Sequence, residues 1–106
     1  MAQIKVRWTP FPQQELGIVN EADGPVTRTF VAHNEGDYSW QLVRSYTSCG
    51  CTSVEMQQEQ IVRPGDSTLV NVSFNPKGKA GPFRETANIQ LTDGEEMQNE
   101  AIILTG

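Results

Sequence analysis

The chain has 106 residues, of which 37% are hydrophobic and 20% charged, with a formal net charge of −5. That length suits one domain, residues 1–106, with one hydrophobic core that needs neither a metal nor several disulfides to be stable. The acidic balance and scattered basic residues argue against nucleic acid as a partner, which would need clustered Lys and Arg, and no apolar run approaches the ~18 residues of a membrane-spanning helix.

Period-two alternation dominates from the start of the chain. Residues 1–8 alternate, with Ile4, Val6 and Trp8 against Lys5 and Arg7, so they read as a strand and not as the continuous apolar segment of a secretion signal. Val26, Arg28, Phe30 and Ala32 form the next series, among β-branched residues that favour a pleated surface. Asn34-Glu35-Gly36-Asp37 then supplies turn chemistry: side chains that bond their own backbone and a glycine. Trp40, Leu42 and Arg44 continue the alternation. Residues 54–60 hold the best helical candidate, but their few apolar positions and the following Pro64-Gly65 favour a loop or a short edge strand. Pro64-Gly65 suits a type II turn. Val70, Val72 and Phe74 share one strand face, and Phe83, Ala87, Ile89 and Leu91 share another. Between these two series lies a longer loop containing Asn75-Pro76-Lys77-Gly78 and Gly81-Pro82. Asp93-Gly94 marks a hairpin, and residues 101–104 end the chain in an apolar run whose inward face periodicity does not select.

About seven short strands with this turn spacing predict an all-β, immunoglobulin-like sandwich. Its core is expected to include Phe30, Trp40, Leu42, Val70, Val72, Phe74, Ile89 and Leu91.

The unusual local feature is Ser48-Cys49-Gly50-Cys51-Thr52. On an extended strand, residues two apart face the same way, so Cys49 and Cys51 could meet one ligand. Three readings stay open. The pair can be small, partly buried residues that shape the chain where it leaves a strand. It can form a disulfide or a reactive thiol pair, for which Gly50 permits the necessary fold of the backbone. It can also be a thiol or soft-metal site for copper or zinc, with Met56 as a thioether. Against zinc stands the supply of two ligands where a closed site takes four. Expected metal, cofactor and catalytic residues are otherwise none.

His33 is the sole histidine. A whole strand should separate it from Cys49, on the order of 30 Å at ~3.3 Å per residue, so no cysteine–histidine dyad is expected. Glu55, Glu59, Asp66, Asp93, Glu95 and Glu96 fall mostly in predicted turns and read as solvated loop charge. There is no phosphate-binding glycine loop, nucleophile elbow or dinucleotide motif. Asn71-Val72-Ser73 matches a glycosylation triplet but lies inside a predicted strand, where the acceptor is poorly presented.

These elements together resemble a known family. Ser48-Cys49-Gly50-Cys51-Thr52, preceded by Phe30-x3-Asn34-x-Gly36-Asp37 and followed by Pro64-Gly65 and Val72-x-Phe74-x-Pro76, is similar to the bacterial domain of unknown function family 1573. Leu16-Gly17-Ile18 resembles its Phe-Gly-x-Ile opening, with Leu in place of Phe, and Leu104-Thr105-Gly106 resembles its closing strand. The resemblance covers residues 16–106. It implies a sandwich similar to major-sperm-protein and pilus-chaperone domains, a periplasmic or cell-surface location, and no established catalytic activity.

The expected function is a non-enzymatic cell-envelope binding or spacer module, with another envelope protein or a glycan as partner. The alternative is a thiol-redox or soft-metal protein centred on Cys49 and Cys51.

Overall fold

A computed structural model describes residues 4–48, 50–78 and 81–106. Among the described residues, nine strands form two sheets: β1 Val6–Thr9, β2 Gln13–Glu15, β3 Val26–Asn34, β4 Trp40–Thr47, β5 Thr52–Met56, β6 Ile61–Val62, β7 Ser67–Phe74, β8 Arg84–Thr92 and β9 Met97–Thr105. One sheet has the order β1-β3-β7-β5 and the other β2-β9-β8-β4-β6. Every connection before the β8–β9 hairpin carries the chain from one sheet to the other. Neighbouring strands are antiparallel except β2, which runs parallel to β9. The architecture is the expected immunoglobulin-like sandwich. The strands beyond the expected seven or so are short, β2 having three residues and β6 two.

The core follows from the alternation. Phe30, Val70, Val72 and Phe74 point inward from one sheet and Trp40, Leu42, Ile89 and Leu91 from the other, each exposed by 1% or less. Fully burying side chains of this size stabilises the fold by roughly 1.5–3 kcal/mol each, before chain entropy is counted. Ile102 and Leu104 are buried and Ala101 is exposed, which settles the inward face of the last run.

One expected alternation fails. Arg44 does not continue the inward series of Trp40 and Leu42, because the β4–β8 register shifts between Leu42 and Arg44. A bulge inserts one residue and reverses the facing of everything after it. Arg44 is therefore exposed, its Nε donating to Gln90 Oε1 at 2.5 Å, while Ser45 pairs with buried Ile89.

Residues 54–60 contain no helix. They begin within β5, an edge strand whose Val54 and Met56 pack against the core, and continue as a turn. Met56 is thus half-buried against the core.

Two intersheet contacts close the sandwich. The Trp8 indole on β1 donates to Glu100 Oε1 on β9 at 2.9 Å. Asn34, at the end of β3, is 2% exposed, and its Nδ2 donates to Tyr38 O and Val62 O, both at 2.9 Å. Asn34 Oδ1 accepts from Gly36 N, and its backbone bonds Asp66 and Gly65. One buried amide therefore ties together the Asn34-x-Gly36 turn, β6 and the Pro64-Gly65 turn. The latter has the expected type II features: Gly65 at φ +89° and Asp66 N donating to Arg63 O at 2.8 Å.

Candidate functional site

The end of the sandwich remote from Asn34 gathers Ser48, Cys51, Asn75, Phe83 and the close of β9. β4 ends at Thr47, and Ser48 extends its pairing with β8: Ser48 N donates to Thr86 O at 2.9 Å, and Thr86 N donates to Ser48 Oγ at 3.0 Å. Ser48 Oγ in turn donates to Glu85 Oε2 at 3.0 Å. Glu85 has the inward parity of Ala87, Ile89 and Leu91 and is 7% exposed. A carboxylate in that position is costly without a hydrogen-bond partner, and Ser48 supplies one. Sequence reading passed over Glu85 because the apolar members of its series drew the pattern. Its inward parity was the available signal.

Cys51 precedes β5, and its carbonyl accepts from Asn75 N at 2.7 Å, which ties it to the chain just after β7. Cys51 is half-buried and disulfide-bonded. Cys49, the other cysteine of the chain, lies outside the described residues. Thr52, the first residue of β5, is buried, and its Oγ1 lies 3.9 Å from Cys51 Sγ. A disulfide sulfur carries no proton, so the hydroxyl is the donor. At Gly50 an added Cβ would meet open space, so no packing contact demands glycine there.

Beside this segment lies a cleft of about 430 Å³. Phe74 and Phe83 stack on its wall with ring centroids 4.3 Å apart and planes 17° from parallel. Phe83 and Gly106 exchange both backbone hydrogen bonds, at 2.9 and 3.2 Å. The chain opposite them, Leu16-Gly17-Ile18, is held by Leu16 N donating to Thr105 O at 2.6 Å. Gly17 has φ +73°, the region that favours glycine, and Ile18 is left wholly exposed at the cleft mouth. Among the described residues, Glu15 is the one charged residue lining the cleft. The segments that carry the family resemblance thus converge on two places: Asn34, Gly36 and Pro64-Gly65 at one end, and Leu16-Gly17-Ile18, Phe74 and Gly106 around the cleft at the other.

The remaining candidates separate. His33 Nε2 lies 2.7 Å from Thr9 Oγ1, at the Asn34 end of β3. The expected distance from His33 to Cys49 involves a residue outside those described, but Ser48 sits at the opposite end of β4 from the turn that follows Asn34. Among the described residues, no group of three or more His, Cys, Asp or Glu side chains is placed to hold a metal ion. Asn71 lies in β7, where its Oδ1 accepts from Thr29 Oγ1 at 2.6 Å. Asp93 is more than loop charge: its Oδ1 accepts from Glu96 N and Glu95 N, both at 2.9 Å, and these bonds hold its carboxyl below the ordinary value. Glu35 is lowered as well, by its hydrogen bond and ion pair with Arg7.

Residues 11–106 match the family described as protein of unknown function (DUF1573). The chain belongs to the DUF1573 family. No curated protein matches it. Among solved structures, this DUF1573 domain is similar to a protein of unknown function from Porphyromonas gingivalis W83, with TM-score 0.76 and 13% identity over 94% of this chain and 44% of that one. It is also similar to the Vibrio cholerae VesB protease, with TM-score 0.76 and 13% identity over 94% of this chain and 31% of that one. WR4, a C. elegans MSP family member, aligns with TM-score 0.64 and 14% identity, over 97% of this chain and 96% of WR4. The DUF1573 domain therefore spans less than half the length of the first two. At these identities the likeness is one of fold.

Proposed function

We propose that this DUF1573 domain is a non-enzymatic binding module of the cell envelope that holds an extended, apolar segment of a partner protein. The observation that carries this reading is the cleft at the Phe83–Gly106 end, with Ile18 wholly exposed at its mouth. An apolar side chain held in water beside an apolar concavity loses that exposure when a partner covers both. Glu15 contributes charge at the rim and the chain is acidic overall, so the favoured segment carries Lys or Arg beside its apolar residues. The apolar wall favours a protein segment over a glycan, which would call for an array of amides and hydroxyls. A disulfide on Cys51 supports an oxidising compartment, as the periplasm or cell surface would be.

The test is a selection of displayed peptides on the immobilised chain, with counter-selection on Ile18→Asp. Enriched peptides should pair apolar residues with Lys or Arg. Added to isotope-labelled protein, they should shift the amide signals of Gly17, Ile18, Phe83 and Gly106. Binders that retain full affinity for Ile18→Asp, or that perturb other surfaces, overturn the reading.

A further inference from the structure

We propose that the open edge of β5 pairs with β5 of a second copy of this chain, the two strands running antiparallel about a two-fold axis at Val54. The proposal does not rest on the cleft. It starts from the strands that end the two sheets among the described residues, which are β1 and β5 in one and β2 and β6 in the other. An edge strand presents a row of unpaired backbone groups, and proteins blunt such rows with short strands, basic residues, proline or bulges. β2 and β6 are three and two residues long. β1 carries Arg7 and is followed by Pro10. β5, Thr52–Met56, has no Lys, Arg or Pro and keeps an unbroken register against β7. It is the edge left ready to take a further strand.

The register of the pairing follows from the backbone. Cys51 O accepts from Asn75 N, so the backbone at position 51 turns toward β7. This direction alternates along a strand, which turns the groups of Ser53 and Glu55 toward β7 as well and those of Thr52, Val54 and Met56 toward the open edge. Two copies can therefore exchange backbone hydrogen bonds at Val54 with Val54, and at Thr52 with Met56 on either side. That register uses every residue of β5. The side chains agree with it. Ser53 and Glu55 are exposed on the outer face, and Ser53 of each copy lies opposite Glu55 of the other, which keeps the carboxylates apart. A register centred on Glu55 would set like charges face to face, an unfavourable cross-strand pair. On the inner face, Val54 and Met56 are half-buried against the core, and the added strand covers them further. The interface is isologous and joins the four-stranded sheets of two copies into one. One short strand from each copy buries less than the ~1,200 Å² of a stable complex, so the pairing is reversible and depends on concentration.

The experiment is sedimentation equilibrium of the full chain over rising concentration. The mean mass should climb reversibly from monomer toward dimer. Ser53→Lys sets a lysine opposite each Glu55 and should tighten the pairing about tenfold. Ser53→Lys combined with Glu55→Lys sets lysines opposite one another and should weaken the parent's pairing about tenfold. The double variant also brings the net charge of −5 closer to zero, so its weakening separates this register from general repulsion between acidic chains. Val54→Pro removes the central N–H and should abolish association. The lysine variants alter exposed side chains alone, so they decide the matter even where Val54→Pro fails to fold. Four results overturn the proposal: a monomeric mass at every concentration, strengthening by both lysine variants, association lost in Ile18→Asp but kept in folded Val54→Pro, or dimers held by a disulfide on a non-reducing gel.

Discussion

Asn34 on β3 and Val62 on β6 meet across the two sheets, the Asn34 amide donating to the Val62 carbonyl at 2.9 Å inside the protein. Neither partner can turn to water instead. Asn34→Ala removes this bond together with those to Tyr38 O and Gly36 N, and leaves the Val62 carbonyl buried without its donor. The expected loss is about 2–4 kcal/mol, read from urea denaturation. A loss under about 1 kcal/mol would show that the amide is dispensable.

Asp93 gives a pH dependence of definite sign. Its native carboxyl is lowered by the Glu96 and Glu95 amides relative to the unfolded chain. Its contribution is thus present above the unfolded value of about 3.9 and is lost as pH falls through the native value. Asp93→Asn should be less stable than the parent at pH 7, and thermal midpoints of the two should converge as pH falls through the lowered native value. Glu35, lowered by Arg7, contributes an acid loss of the same sign to both proteins and so leaves their difference unchanged.

Two glycines should respond differently. Gly65 holds φ +89° in the type II turn, and Gly65→Ala should cost about 1–2 kcal/mol from backbone strain. At Gly50 a Cβ meets open space, and Gly50→Ala should cost less than about 1 kcal/mol. Denaturation midpoints of the two variants measured side by side decide the order.

Gly106 tests the wall of the cleft. A Cβ there would lie 2.5 Å from the Phe83 ring and 2.7 Å from Gly17 O, one side chain and one backbone atom. Gly106→Ala should push the Phe83 ring off Phe74 and cost about 1–3 kcal/mol. Amide shifts localised to Phe74, Phe83 and Gly17 would accompany it, and unchanged spectra would contradict the packing described.

Alternation by itself determined the fold class and the whole predicted core, because side chains two apart on a strand share a face and one face of each sheet must leave water. The turn at Pro64-Gly65 was equally legible, since Pro restricts φ and Gly tolerates its positive range whatever surrounds them. Arg44 was not legible. A bulge depends on how β4 meets β8, and that register is a relation between residues far apart in the chain, such as Leu42 with Leu91 and Arg44 with Gln90. The inward face of residues 101–104 failed for the same reason, being decided by pairing with β8 and β2. At the candidate site the sequence marked the cysteines as unusual, and Leu16-Gly17-Ile18 entered only through the family resemblance. Only tertiary structure set Ser48 against buried Glu85 and Ile18 beside Phe83 and Gly106, because each arises where segments distant in the chain end together.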